Sequence, residues 1–218
     1  MARIADSIPS SWIRDAHDHL KKNGWGRTIA TPYMLHHVTQ WNVNQASAIL
    51  ITTEDVAETY SNGSDGFIFP NALIESNAVI PLSERRQLHH CNGLHHIKNE
   101  YVRLTGMNPS ESQFHELYSC FPIAVRLQRA AFELGKRPGT ITGGMTFAGG
   151  PYNNFMLQGL SQLAKQVRES HTTGLITSVS GMLTKQGLIS LSTEQTPSGM
   201  YLSDVSDKTQ SRTERMQI

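Results

Sequence analysis

The chain has 218 residues, 38% of them hydrophobic and 17% charged, a balance that supports a sizeable core and excludes intrinsic disorder. Nineteen basic residues against eighteen acidic ones leave a net charge of +1, with no Lys/Arg block dense enough to track a phosphate backbone, so nucleic acid is excluded as a partner. Two cysteines make no disulfide framework, no charged-then-apolar leader follows Met1, and no apolar run approaches the roughly 18 residues of a membrane span, which together point to a cytoplasmic, reduced protein.

In chain order, residues 1–27 mix charge, two tryptophans and Gly-flanked breaks without a sustained period, and read as a short helix and loops. "QASAILITTEDVAETY" gives a compact apolar run, a capping Thr and acidic residues, the signals of a strand leading into a short helix. "SNGSDG" is a loop, "GFIFPNALIE" a second extended segment interrupted by Pro70, and residues 83–104 carry a helical pattern. "FHELYS" reads as a strand, after which Pro122 opens a helix whose Ile123, Leu127, Ala130 or Ala131, and Leu134 keep helical spacing up to Gly135. "GTITGG" is predicted as another strand. Pro151 opens a helix with Met156, Leu160, Leu163 and Val167 on one face, and "GLITSVSGMLTKQGLISLS" gives two strands around a loop. From about Glu194 the chain turns polar and is predicted to be a tail or the start of something further.

Four stretches could carry chemistry. Cys120 lies just ahead of a helix, where the helix dipole would lower a thiol pKa, although free cysteine also commonly fills a core. "GGMTFAGGPYNN" places two Gly pairs before a helix start, so backbone and first-turn N–H groups can face an anion or oxyanion, unless the turn serves only as a cap. It is neither a P-loop nor a dinucleotide fingerprint. "SVSGMLTKQG" is a polar loop between apolar strands, and Ser180 lacks the setting of a nucleophile elbow. "HHCNGLHH" packs four His and Cys91 into eight positions, but the spacing fits no zinc finger and no metal site is expected.

Taken together, "LYSCFP", "TITGGMTFAGGPYNN" and "GLITSVSGMLTKQG" resemble the C-terminal half of a thiolase-like acetyl-CoA acetyltransferase of the sterol-carrier-protein thiolase branch. Upstream, "SWIRDAH" and "IATPYMLHHVTQWNVNQASAILITT" resemble the stretch that finishes the N-terminal half of that family, so the resemblance covers residues 10–195. It implies an α/β fold, one half of an α-β-α-β-α layered architecture with a mixed sheet flanked by helices. Residues 1–60 would be the last strand and helix of the N-terminal half, 61–195 the C-terminal domain, and 196–218 a polar tail or the start of an additional domain. It also implies acyl transfer on a coenzyme A thioester as substrate, with no bound cofactor, in a homo-oligomer or with a partner chain that supplies the N-terminal half.

Residue by residue, Cys120 matches the family's second, acid/base cysteine, and Tyr118 stands where the motif has His. Gly149, Gly150 and Pro151 match Gly-His-Pro, so Gly150 replaces the histidine that activates the nucleophile. The Asn153 and Asn154 pair and Ser180 with Gly181 match positioning loops, while Gln158 and Gln186 stand where some relatives carry His. Neither Cys91 nor Cys120 matches the nucleophilic cysteine. Glycine cannot take a proton and glutamine does not titrate near neutrality. The chain is therefore expected to be inactive alone, a thiolase-like acyltransferase portion, with two alternatives: a non-catalytic CoA-binding or scaffolding subunit, or a retro-aldol carbon–carbon lyase using the tyrosine.

Overall fold

The structure, a computed structural model, describes residues 21–60 and 66–210. Most of the N-terminal helix-and-loop segment, residues 61–65 and the last eight residues lie outside them. Beyond a short hairpin, β1 (Thr28–Ala30) and β2 (Tyr33–Met34), the architecture rests on one five-stranded mixed sheet in the order β4-β5-β6-β3-β7. Its strands are β3 (Phe69–Asn77), β4 (Phe114–Glu116), β5 (Thr173–Ser180), β6 (Lys185–Ser192) and β7 (Tyr201–Asp204). The β5–β6 and β6–β3 pairs are antiparallel, the outer pairs parallel, and Pro70 falls where the β3 register shifts.

Alternation of side chains sends Ala72, Ile74 and Leu188 to one face, where they meet Leu94, Ile97 and Tyr101 of α2 (Asn92–Thr105) and Leu127 and Ala131 of α3 (Pro122–Ala131). Ile176 and Leu191 point the other way, onto Leu163 and Val167 of α4 (Asn154–Ser170), with Met156 and Leu160 alongside. The predicted apolar face of that helix is therefore the one buried. At Gly159 a Cβ would meet Ile176 Cδ1 at 2.7 Å, so glycine lets α4 settle directly on β5.

Five elements differ from expectation. Helix α2 begins only at Asn92, because residues 85–91 run irregularly after a 3-10 turn at Leu82–Glu84. Helix α3 ends at Ala131 and buries Ala124, Leu127, Gln128 and Ala131, leaving Ile123 and Ala130 exposed. "GTITGG" is not a strand: residues 139–144 run as buried coil. The backbone hydrogen bonds a sheet would have supplied come instead from a carboxylate, since Ile141 N and Thr142 N donate to Glu116 Oε2 at 2.8 and 2.9 Å. Thr140 Oγ1 donates to the same carboxylate at 2.9 Å.

The supposed polar tail, lastly, contributes β7 and a short helix, α5 (Ser206–Thr209), with Val205 buried between them. Its polar residues find partners in place of apolar burial. Ser203 Oγ donates to Glu100 of α2 at 2.8 Å, and Lys208 Nζ lies 3.4 Å from the same carboxylate. Arg103, Ser203 and Lys208 hold the Glu100 carboxyl down at about 2 against the cost of its burial.

A second predicted strand also does not form. Residues 46–52 are irregular and unpaired, and they lead into α1 (Glu54–Tyr60), which has no buried residue. No helix among the described residues is long and apolar enough to cross a membrane.

Candidate functional site

The N-terminal end of α4 and the segment 118–120 meet at the ends of β5 and β6. A cleft of about 390 Å³ opens there, lined by Tyr118, Asn153, Met156, Ser178, Ser180 and Lys185. Cross-strand register places Ser180, Lys185 and Asn77 in one row. The loop joining β5 to β6 thus delivers polar groups to the floor, and the residue pair ahead of α4 delivers Asn153 to the wall.

Tyr118 is fixed by its backbone. Its N–H donates to Thr177 Oγ1 at 3.1 Å, and its carbonyl accepts from Gln128 Nε2 at 2.8 Å. Thr177 Oγ1 in turn donates to Gln128 Oε1, which closes the ring through two fully buried side chains. The Tyr118 ring lies edge-on to Phe155, centroids 5.8 Å apart. Burial raises the Tyr118 hydroxyl pKa, and the neighbouring Cys120 adds to the rise.

Cys120 is half-buried and does not line the cleft. Its thiol was expected to be acidified by the helix, but burial pushes it up, against a smaller opposing pull from the Phe121 and Cys120 N–H groups. The geometry explains the reversal. Phe121 is the N-cap and Pro122 the first helical residue, so Cys120 lies outside the helix, and proline removes one first-turn donor.

The glycine turn is closed over by residues 39–45, a strap that sequence patterns did not single out. Gln40 N donates to Met145 O at 3.1 Å, and Gly150 N donates to Gln40 O at 2.8 Å. Gln45 Nε2 donates to Ala148 O at 2.7 Å and Gly149 O at 3.1 Å, and Asn154 Nδ2 reaches Gln45 Oε1 at 3.4 Å. Thr39 Oγ1 donates to Cys120 O at 3.2 Å, and Trp41 packs on Tyr152 with ring centroids 6.0 Å apart. A Cβ at Gly150 would meet Thr39 Cγ2 at 2.8 Å and the Met145 methyl group, and one at Gly149 would meet Val43 Cγ2 at 2.5 Å. The space beside Gly150 is thus filled by Met145 and by Thr39 of the strap, and the Gly150 N–H expected for an oxyanion is already in use.

The remaining sequence candidates divide between the cleft and the core. Asn153 and Ser180 are in the cleft with Tyr118. Gly181, at φ 55°, turns the β5–β6 loop. Gln158 is buried in α4. Gln186 belongs to both: it is 4% exposed and lines the cleft, with its carboxamide against Gly93 of α2. In the histidine-rich stretch, Cys91 is the N-cap of α2 and its thiol donates to Leu183 O at 4.0 Å, and His90 and His95 stack with centroids 4.5 Å apart. Burial and the His90 charge hold His95 below the ordinary imidazole range. No group of three or more His, Cys, Asp or Glu side chains converges among the described residues. Lys185, Thr177, Gln128 and the strap were missed by sequence reading: isolated polar residues inside apolar runs carry no spacing signal of their own.

A mixed sheet with α2 and α3 on one face and α4 on the other, and a polar cleft at the head of α4, defines a thiolase-like α/β protein. The chain superposes on a monomeric SCP2-thiolase like protein type 1 from Mycobacterium smegmatis with a TM-score of 0.79 and 25% identity, over 96% of its own length and 47% of the relative's. The dimeric peroxisomal thiolase of Saccharomyces cerevisiae shares the fold at a TM-score of 0.50 and 14% identity, over 77% of this chain and 44% of that one. The resemblance to the sterol-carrier-protein thiolase branch therefore holds at the level of structure, and the chain spans about half the length of these two solved relatives. No protein-family model matches it, and no curated protein matches its sequence.

Proposed function

We propose that this chain is the proton-handling part of a thiolase-like acyltransferase acting on a coenzyme A thioester, in a cytoplasmic setting. The observation that carries the reading is Tyr118, clamped at the wall of the cleft with its hydroxyl pKa raised and Cys120 beside it. Both groups are protonated at neutral pH, which suits donors rather than nucleophiles. In the cleavage direction the Cα–Cβ bond breaks and its electron pair becomes the enolate of the departing thioester. Tyr118 O–H donates a hydrogen bond to that oxygen, and the Cys120 thiol supplies the proton that the α-carbon takes up, leaving a thiolate that is reprotonated from solvent. In this reading the acyl-accepting nucleophile belongs to the part of the fold this chain does not cover, residues 1–60 finish the N-terminal half, and the C-terminal domain runs from residue 61 on through β7 and α5. A retro-aldol cleavage would break the same bond and use the same enolate donors, but it also needs a base to take the β-hydroxyl proton as the carbonyl forms, a role the raised Tyr118 and Cys120 do not favour at neutral pH.

A non-catalytic CoA-binding subunit is the second reading, favoured by the commitment of the Gly150 N–H to Gln40. The pH dependence of Cys120 alkylation in a Cys91→Ser background, with and without CoA or acetyl-CoA, separates the two. Half-maximal reaction above the ordinary thiol value, with protection by the thioester that weakens in Tyr118→Phe, is expected for the first. Protection by CoA that is unchanged in Tyr118→Phe overturns it in favour of the CoA-binding subunit, and alkylation indifferent to both overturns it in favour of a scaffolding subunit.

A further inference from the structure

The turn joining β5 to β6 holds three consecutive residues in the left-handed region: Gly181 at φ 55°, Met182 at 55° and Leu183 at 65°. Two of them carry side chains, which disfavour that backbone. Leu183 packs against the core, but Met182 is 70% exposed and gains no burial in return. Hydrogen bonds to the turn's carbonyls hold it instead. Ser180 O accepts from Thr184 N at 3.1 Å, Gly181 O from Thr184 Oγ1 at 2.8 Å, and Thr184 O from Ala78 N at 2.6 Å. The carbonyls of the two strained residues are received by side chains. Arg85 Nη1 donates to Met182 O at 2.7 Å, while Gln186 Nε2 and, at 4.0 Å, the Cys91 thiol donate to Leu183 O. Arg85 is itself anchored, since its Nε donates at 3.2 Å to the carbonyl of the buried Ile80.

The flanks of this turn are the polar edge of the cleft. Ser180 and Lys185 both line it, and they are register partners across the hairpin. Both side chains are exposed, so packing does not fix them and their place is set by the backbone of the turn between them. Arg85 and Cys91 lie ahead of the first turn of α2 and do not line the cleft.

We infer that Arg85 is a positioning residue for the cleft: by bridging Ile80 O and Met182 O it holds the left-handed turn, and through the turn it sets where Ser180 and Lys185 meet a bound ligand. The inference deepens the proposed function and rests on it in taking that ligand to be a coenzyme A thioester. The chemistry of the tie suits the task. A guanidinium is a planar fork that reaches two carbonyls at once, whereas a lysine ammonium is a point donor. Cys91 is the weaker tie, because sulfur is a weak donor and Gln186 already shares the Leu183 carbonyl.

The test compares wild type with Arg85→Met, Arg85→Lys and Cys91→Ala in the full chain, by amide hydrogen exchange and by titration calorimetry with acetyl-CoA. The Thr184 and Ala78 amides, whose bonds close the turn, should exchange about tenfold faster in Arg85→Met, as the loss of one hydrogen bond from a charged donor implies. The Leu163 and Val167 amides of α4 should keep their wild-type rates. The dissociation constant for acetyl-CoA should rise about fivefold, the low end of ordinary coupling between sites. Arg85→Lys should fall between wild type and Arg85→Met on both readouts, and Cys91→Ala should lie nearer wild type. A merely structural role would quicken exchange and leave the dissociation constant where it was. That result overturns the inference, as does unchanged exchange in Arg85→Met or an Arg85→Lys that matches wild type. A wild type that does not bind acetyl-CoA overturns the proposed function instead. The inference is then decided by the amide resonances of Ser180 and Lys185, which shift in Arg85→Met if the turn positions them and stay in place if it does not.

Discussion

Glu116 and Ile141 are joined by a 2.8 Å hydrogen bond from the Ile141 amide to a carboxylate with no solvent exposure. That bond, with those from Thr142 N and Thr140 Oγ1, lets one side chain hold a coil segment where a neighbouring strand would otherwise be needed. Burial pushes the Glu116 carboxyl up to about 7, against these donors. With an unfolded value near 4.5, the linked stability is fully present below pH 4.5 and is lost as pH rises through about 7, an effect on the order of 3 kcal/mol. Denaturant melts of wild type and Glu116→Gln across pH 5–8 check this: the variant should lose that pH dependence. Glu116→Ala, which strands the two amides, should cost about 2–4 kcal/mol at low pH and less as pH rises through about 7, where wild type has lost the linked stability.

Gly150→His should not restore a working base. The Cβ would meet the Met145 methyl group and Thr39 Cγ2, the latter at 2.8 Å, so both Met145 and the strap must move first. Gly150→Ala alone should destabilise by about 1–3 kcal/mol, the usual cost of overpacking, and Thr39→Ser in the same chain should recover part of it. Thermal melts of the three variants decide, and a neutral Gly150→Ala would show the strap to be loosely seated.

The Gln128–Thr177 ring predicts non-additivity. Gln128→Leu leaves the Tyr118 carbonyl without its buried donor and should cost about 2–3 kcal/mol. Thr177→Val should cost about 1–2 kcal/mol by exposing the same gap from the other side. Because the two share partners, the double variant should lose less than the sum, and a double-mutant cycle measures the difference.

Glu100 predicts an acid-labile edge. Its carboxyl, held at about 2 by Arg103 first and then by Ser203 and Lys208, ties β7 and α5 to α2. This stability is present above the unfolded value near 4.5 and is lost as pH falls toward 2. Amide exchange across 201–209 should quicken over that interval, and Glu100→Gln should quicken it already at neutral pH, at a cost of about 1 kcal/mol after allowing for the exposed cations.

Much of the fold was legible. The four-three-four spacing of Met156, Leu160, Leu163 and Val167 named the buried face of α4, and the β5–β6 hairpin followed from two apolar runs around a polar loop. The misses share a cause: polar groups replaced the signals that patterns rely on. Residues 139–144 have β-like composition but are held by Glu116, and β7 is anchored by the ion pairs of Glu100 rather than by an apolar face. In the site, motif spacing picked out Tyr118, Asn153 and Ser180, which the fold brings together. It misjudged the Cys120 pKa because a pattern shows that a helix follows but not how deeply the thiol is buried.

The strap has a consequence for how the molecule assembles. Its bonds join residues 39–45 to 145–154, and the link from Gln45 to Ala148 spans 103 positions. Closing so long a loop is entropically costly and rewarded only after both anchors exist, so contacts of this separation form late in folding. On the ribosome the strap emerges more than a hundred residues before the turn it covers. The site is therefore sealed at a late stage of folding, and the strap waits, exposed to a chaperone or protease, for longer than the glycine turn it covers.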